Sequence, residues 1–315
     1  MTTTNRVESL TVDAGGLAVN VARAGAGSPL VLLHGFPQTS YEWRHLMEPL
    51  SDGRLVLAPD QRGFGGTAKP YPPRMSRTLL ARDLEATLDA LGLATVDLVG
   101  HDWGGAIAST FAFLRPERVR RLVLIDTAIE RFVLRAAWHL VWFKLPGLAE
   151  QTFAADAGAF IRGGLVGLSK TAGVPSDADL ARYTEAFQDP ATHKTAISLY
   201  RHALPLFRVL EGTNGRERFA RMPSEELQAA WEAGAGKHSL WNEVASVAPS
   251  MRRRRFVEPT LWIYATGLGR PNQAFREQFE HAFPNLQTRE FDCGHWIPEE
   301  RPAELVEVLR AFLDP

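Results

Sequence analysis

The run Val96-Asp97-Leu98-Val99-Gly100-His101-Asp102-Trp103-Gly104-Gly105 ends an apolar stretch on Gly-x-Asp-x-Gly, with Asp102 at its centre. A turn that carries a buried strand straight into a helix forces its central residue into a strained backbone conformation, which small neighbours such as Gly100 and Gly104 permit. The strain holds the side chain out toward a substrate. A serine there would need a histidine to take its proton before attacking a carbonyl, whereas an aspartate is already ionised at neutral pH. A carboxylate displaces at saturated carbon. Opening of an epoxide, or expulsion of a halide, would leave an alkyl ester on Asp102 that water must then hydrolyse. An aspartate at the start of a helix is also an ordinary N-cap, so the reading depends on what the rest of the chain supplies.

The elements around Asp102 follow from the hydrophobic pattern. Pro29-Leu30-Val31-Leu32-Leu33 and Arg54-Leu55-Val56-Leu57-Ala58 are continuous apolar runs that stop at His34-Gly35 and Pro59-Asp60, as expected of strands buried on both faces. Helical spacing runs from Arg77 to Leu91, Val96 to Val99 feeds the Asp102 turn, a helix from Gly105 to Leu114 stops before Pro116, and Arg121 to Ile125 is the next strand. Strands separated by helices predict an α/β fold with a parallel sheet, whose ligands gather at the carboxyl ends of the strands. His34, Asp60, Asp102 and Asp126 all fall at such ends. From about Arg131 to Ser250 the pattern turns helical, with an aromatic-rich segment around Ala137 to Phe143, a later helix over Ala196 to Arg201, and no convincing strand. Sheet character returns at Thr260 to Ala265, followed by a helix over Gln273 to Ala282, a strand over Leu286 to Phe291 and an amphipathic helix over Ala303 to Leu313. The expected organisation is a core from 1–130 and 251–315 with a helical cap from 131–250.

Composition excludes several classes. With 315 residues, 45% of them hydrophobic, the chain can bury a substantial core, and a formal net charge of -1 offers no attraction to nucleic acid or an anionic membrane. The dense basic cluster Arg252 to Arg255 reads as a solvated edge beside a strand. One cysteine, Cys293, excludes an internal disulfide framework and suits a reducing compartment. No signal sequence and no apolar run of roughly 20 residues is visible, so the expected location is the cytoplasm.

Four motifs in order, His34-Gly35-Phe36-Pro37, Asp60-Gln61-Arg62-Gly63-Phe64-Gly65, Gly100-His101-Asp102-Trp103-Gly104-Gly105 and Gly294-His295-Trp296, resemble the α/β-hydrolases of the epoxide hydrolase and haloalkane dehalogenase branch over almost the full length. The resemblance implies an α/β-hydrolase fold, a mostly parallel sheet flanked by helices with an inserted helical cap. It makes Asp102 the nucleophile and His295 the general base, an imidazole suited to deprotonating water at neutral pH. The acid that orients the imidazole follows the next-to-last strand in many relatives, but Tyr264 to Pro271 holds no carboxylate. Some relatives carry it one strand after the nucleophile, which assigns the role to Asp126. Asp292 is expected to face away, His101 to be structural and His34 to shape its loop. By the same resemblance, the backbone amides of Phe36 and Trp103 form the oxyanion hole. The Arg62-Gly63-Phe64-Gly65 turn lacks the context of a dinucleotide site, and no cofactor or metal is expected.

Tyr200-Arg201 resembles the segment in which epoxide hydrolases carry a ring-opening tyrosine. The usual second tyrosine is replaced here by Trp138-His139, which is similar to a bacterial subgroup with histidine in that role, so His139 and Tyr200 are the expected pair. Haloalkane dehalogenases often have asparagine where Phe36 stands. Fluoroacetate dehalogenases share the Asp126 placement and the histidine, but need arginines where Trp103 and Ala106 stand. The resemblance thus implies epoxide hydrolysis first, haloalkane and then haloacid dehalogenation as alternatives, and a non-catalytic ligand-binding protein as the contrasting class. The expected partner is a small apolar epoxide or halogenated molecule, without nucleic acid or membrane; a homodimer is left open. Pocket size rests on Trp138, Trp142, Phe143 and Phe207.

Overall fold

The structure, a computed structural model, describes residues 6–71, 75–129, 131–133, 139–203, 244–246, 254–269, 271 and 273–314. Trp138, Phe207, Arg252 and Arg253 lie outside the described residues. Strands β1 (Glu8–Asp13) and β2 (Ala18–Ala24) pair antiparallel, and β2 pairs antiparallel with β4 (Arg54–Pro59). The parallel part is β4, β3 (Ser28–Leu33), β5 (Val96–His101), β6 (Val119–Ile125), β9 (Thr260–Ala265) and β10 (Leu286–Phe291), side by side in that order. All eight strands form one sheet.

The apolar runs become central strands because alternate side chains feed two cores, one on each face. In β5, Leu98 faces the layer of helices α2 (Arg77–Ala90) and α3 (Trp103–Leu114), while Val99 faces α1 (Arg44–Leu50) and α10 (Pro302–Leu313). Leu122 and Leu124 of β6 join the first core, Val123 and Ile125 the second. Trp262 and Tyr264 of β9 alternate with Leu261 and Ile263 in the same way. Helix α8 (Gln273–Ala282) lies between β9 and β10, and the short α9 (Ile297–Glu300) precedes α10.

Between β6 and β9 lie helices α4 (His139–Lys144), α5 (Leu148–Leu168), α6 (Asp177–Glu185) and α7 (Pro190–Ser198), and then one turn of π-helix at Leu199–Ala203. Two short strands, β7 (Arg131–Val133) and β8 (Val244–Ser246), pair antiparallel in a stretch where the sequence pattern offers no strand. Three residues are too few to establish a period of two, so such a pair is invisible until its partner is found. A second difference concerns α3, which begins at Trp103 rather than Gly105, directly after the turn residue. No helix among the described residues is long and apolar enough to cross a membrane.

Leu98 is fully buried in β5 directly below the Asp102 turn. Leu98→Ala should lower unfolding stability by about 2 to 5 kcal/mol through lost burial and a residual cavity, measured as a reduced urea midpoint with an unchanged slope.

Candidate active site

Asp102 has φ 48° and ψ -118°, the left-handed side of backbone space that an L-residue adopts only under strain. The strain follows from crowding around the turn. A Cβ at Gly104 would collide with the Leu33 and His34 carbonyls, and one at Gly35 would lie 2.7 Å from the Asp102 Cβ. The turn is tied down by hydrogen bonds from the Asp102 amide to the Ile125 carbonyl (3.1 Å) and from the Thr127 hydroxyl to the Asp102 carbonyl (2.5 Å). With its backbone so held, Asp102 sits at the mouth of the sheet. Its Oδ1 accepts a hydrogen bond from the Phe36 amide at 2.9 Å, and its Oδ2 lies 3.6 Å from His295 Nε2.

His295 stands on the loop between β10 and α9, and its Nδ1 is 2.5 Å from Asp126 Oδ2. Asp126 ends β6 and, like Asp102, has positive φ (39°). Its amide donates to the Ile263 carbonyl and its Oδ1 accepts from the Ala265 amide, so the neighbouring β9 fixes the carboxylate that meets the imidazole. The structure therefore brings Asp102, His295 and Asp126 together, although they are far apart in sequence. Asp292 is exposed. His34 Nδ1 lies 2.9 Å from the Gly35 carbonyl and its Nε2 accepts from the Gln61 amide, which makes it part of the loop's own bonding. Asp60 accepts from the Ser40 and Gly66 amides and from Asn20, tying down the turn that follows β4.

Charge distribution follows from this geometry. Burial raises the Asp102 carboxyl, but the proximity and charge of His295, the charge of His101 and the Phe36 amide outweigh it, and the group ends below its ordinary value. Burial lowers His295, but the two flanking carboxylates, Asp102 and Asp126, raise it to about 10. The resting site is thus an imidazolium between two carboxylates at neutral pH. Because its folded pKa is raised, His295 contributes stability that is fully present below its ordinary value of 6.5 and lost as pH rises through about 10.

Above Asp102 lies an aromatic wall. The buried Tyr200 ring is stacked on Phe143 (4.0 Å between centroids) and stands edge-on to Phe36 (5.1 Å), Trp103 (5.3 Å) and His139 (5.6 Å). Burial, and then the charge of Asp102, push the Tyr200 phenol well above its ordinary value, against an opposing contribution from the Trp103 side chain. It stays protonated and has a proton to donate. Burial pushes His139 down to about 4, so its imidazole is neutral and offers one N–H. Trp142 stacks on Phe160 at 4.5 Å, behind Phe143.

The interposed helices also hold the loop that carries the imidazole. The His295 amide donates to the Leu168 carbonyl at the end of α5, and Trp296 Nε1 donates to the Leu165 carbonyl at 2.7 Å. Glu300 Oε2 accepts from the Lys170 and Gly294 amides and the Thr171 hydroxyl. Nearby, Glu299 takes two hydrogen bonds from Arg44 and one from Tyr183 of α6, while Asp179 of α6 pairs with Arg44 at 2.9 Å. Sequence reasoning missed Glu42, Arg44, Glu299 and Glu300. An acidic pair within Ile297–Glu300 looks like a solvated helix face, and only long-range folding shows it buried. No group of metal-ligating side chains occurs among the described residues.

A profile of the alpha/beta hydrolase fold matches residues 28–302. The chain belongs to the α/β-hydrolase fold family. It is 27% identical to the soluble epoxide hydrolase of Corynebacterium sp. (strain C12) over 95% of each chain. It is 31% identical to a fluoroacetate dehalogenase of Burkholderia sp over 78% of this chain and 84% of that one. A match at 38% identity to Epoxide hydrolase 3 of Siraitia grosvenorii covers 48% of this chain and only about half (52%) of that relative.

The charge pattern is checked by NMR titration of the histidine rings. His295 should remain protonated at pH 8, and Asp126→Asn should lower its pKa by more than about one unit, each unit being worth roughly 1.4 kcal/mol; a His295 that titrates near its ordinary value in the unaltered protein contradicts the pattern.

Proposed function

We propose that the protein is an epoxide hydrolase that converts an apolar epoxide into a vicinal diol through an alkyl ester on Asp102, with residues 131–250 acting as a cap between core segments 1–130 and 251–315. The observation that carries this reading is the ionised Asp102, strained at the end of β5, within 3.6 Å of a histidine paired to Asp126 and beneath the protonated Tyr200.

In the first step, one Asp102 oxygen attacks a ring carbon from the side opposite the C–O bond that breaks. The departing oxygen takes the Tyr200 proton while the neutral His139 N–H hydrogen-bonds to it. Esterification removes the negative charge of Asp102, and with it one of the two carboxylates that hold the His295 pKa up. The imidazole then gives up its surplus proton, which restores the phenol. The first half-reaction thereby creates the base that the second one needs.

In the second step, neutral His295, oriented by Asp126, removes a proton from water, and the hydroxide adds to the ester carbonyl carbon. The amides of Phe36 and Trp103 hold the resulting oxyanion; the Trp103 amide belongs to the first turn of α3, where backbone N–H groups have no partner within the helix. Collapse breaks the acyl C–O bond, the leaving alkoxide takes the proton from His295, and the carboxylic proton left on Asp102 returns to the imidazole. The diol leaves and the resting charges are restored.

Support for an epoxide over a carboxylate-bearing substrate comes from the wall, which is built of Phe36, Trp103, Phe143 and Tyr200 and leaves a carboxylate poorly solvated beside the negative Asp102. Dehalogenation of a haloalkane or haloacid by Asp102, His295 and Asp126 is the second reading, favoured by the likeness to the Burkholderia fluoroacetate dehalogenase.

A single turnover with aryl and alkyl epoxides in heavy-oxygen water should place the label in the Asp102 peptide. His295→Gln should accumulate the ester and reduce turnover by about 10²-fold or more, and Tyr200→Phe should slow ester formation by about the same factor. Normal diol yield with an unlabelled Asp102 peptide overturns the proposal. Halide release from haloalkanes or haloacetates without diol formation from epoxides favours the second reading.

A further inference from the structure

Beneath the reacting groups lies a second carboxylate and imidazole couple that takes no direct part in the chemistry. Glu42, in the 3-10 turn Ser40–Trp43 that precedes α1, is completely buried, as is His101, the last residue of β5. Glu42 Oε1 is 2.5 Å from His101 Nδ1, and its Oε2 accepts a hydrogen bond from the Gly35 amide at 2.9 Å. On the far side of the ring, His101 Nε2 lies 2.9 Å from the His295 carbonyl, which also accepts from the Ile297 amide.

The protonation pattern of this couple follows from its partners. A carbonyl oxygen only accepts, so His101 Nε2 carries a hydrogen. Glu42 Oε1 and His101 Nδ1 meet at 2.5 Å as a buried ion pair, without the N–H direction of an aligned hydrogen bond. Paired in this way, the two groups can stay in a site closed to water where either alone would be an uncompensated charge.

Glu42 and His101 thus connect three loops of the active site. One end of the couple holds Gly35, whose chain neighbour Phe36 directs its amide at Asp102. The middle is His101, adjacent to Asp102 in the strained turn. The other end holds the backbone of His295. Together with the contacts of His295 and Phe36 to Asp102, these bonds form a closed ring of interactions, reacting groups above and supporting groups below.

We propose that Glu42 and His101 are positioning residues that keep the Phe36 amide and the His295 ring aligned while Asp102 is esterified. The inference rests on the two-step reading above. When Asp102 becomes an ester it loses its charge and its attraction for both the imidazolium and the Phe36 amide. From that moment the imidazole keeps its place through Asp126, through the Leu168 and Ile297 backbone and through His101 alone. The couple therefore matters more for breakdown of the ester than for its formation.

The test separates the two half-reactions by rapid mixing with an aryl epoxide. Glu42→Gln keeps the shape and an acceptor for Gly35 but removes the charge, and His101→Gln removes the ring. Each should slow ester breakdown by about tenfold or more while changing ester formation less than about threefold, and the double variant should be little worse than either single one, as for residues acting as a unit. Melting temperatures that fall while both half-reactions keep their unaltered rates make the couple merely structural and overturn the inference. Proton NMR of the unaltered protein with nitrogen-labelled histidine gives an answer even if a variant fails to fold. It should show a slowly exchanging His101 Nε2 proton, held by the His295 carbonyl, that survives Asp126→Asn and is therefore distinct from that of His295; its absence overturns the inference. Should the unaltered protein form no ester from any epoxide, the two-step reading fails on its own, and the NMR measurement still judges the couple.

Discussion

An imidazolium held between two carboxylates is the interaction on which the rest of this structure depends. Each of the three charges is costly to shield from water alone, and each makes the others tolerable. Asp102 is held below its ordinary value and His295 well above its own because they face one another, with Asp126 completing the row. Such a row survives only if its members cannot drift apart. That explains why two of them sit at the ends of adjacent parallel strands in strained backbone, and why the third is on a loop bonded at the backbone on several sides. The sheet register pairs His101 with Ile125, so the residues that follow both, Asp102 and Asp126, emerge together.

The same row explains the division between core and interposed helices. The core supplies fixed charges, and the helices between β6 and β9 supply groups that are uncharged at rest: a phenol pushed up and an imidazole pushed down, both by burial. Opposite directions for opposite charge types are what a low-dielectric, aromatic environment imposes. In the proposed reaction, this keeps the electrophile's side of the site neutral while the charges remain on the nucleophile's side. The bonds from α5 to the His295 loop, and from α6 to Arg44 through Asp179, join the interposed helices to the core beside the row of charges.

Much of the core could be read in advance because its signals are local. The strand at Thr260 to Ala265 and the helix over Gln273 to Ala282 have the predicted limits, since a strand buried on both faces and an amphipathic helix each leave a pattern within their own residues; the exposed edge strand at Leu286 to Phe291 also has its predicted limits. The antiparallel pair β7 and β8 left no such trace. Among the candidate site residues, Asp102 and His295 sit in glycine-containing turns whose composition announces them. Asp126 follows an apolar run like any other strand end, and only the absence of a carboxylate over Tyr264 to Pro271 pointed to it.

Glu42, Glu299 and Glu300 were out of reach for a different reason. An acidic side chain in a short amphipathic turn has the same local appearance whether it faces water or a buried histidine, because its partner comes from a different part of the chain. The sequence by itself determined the alternation that builds a parallel sheet and the glycines that let a carboxylate stand at the end of β5. Tertiary structure alone decided which charges meet, since Coulomb interaction and burial depend on separation in space and not on position along the chain.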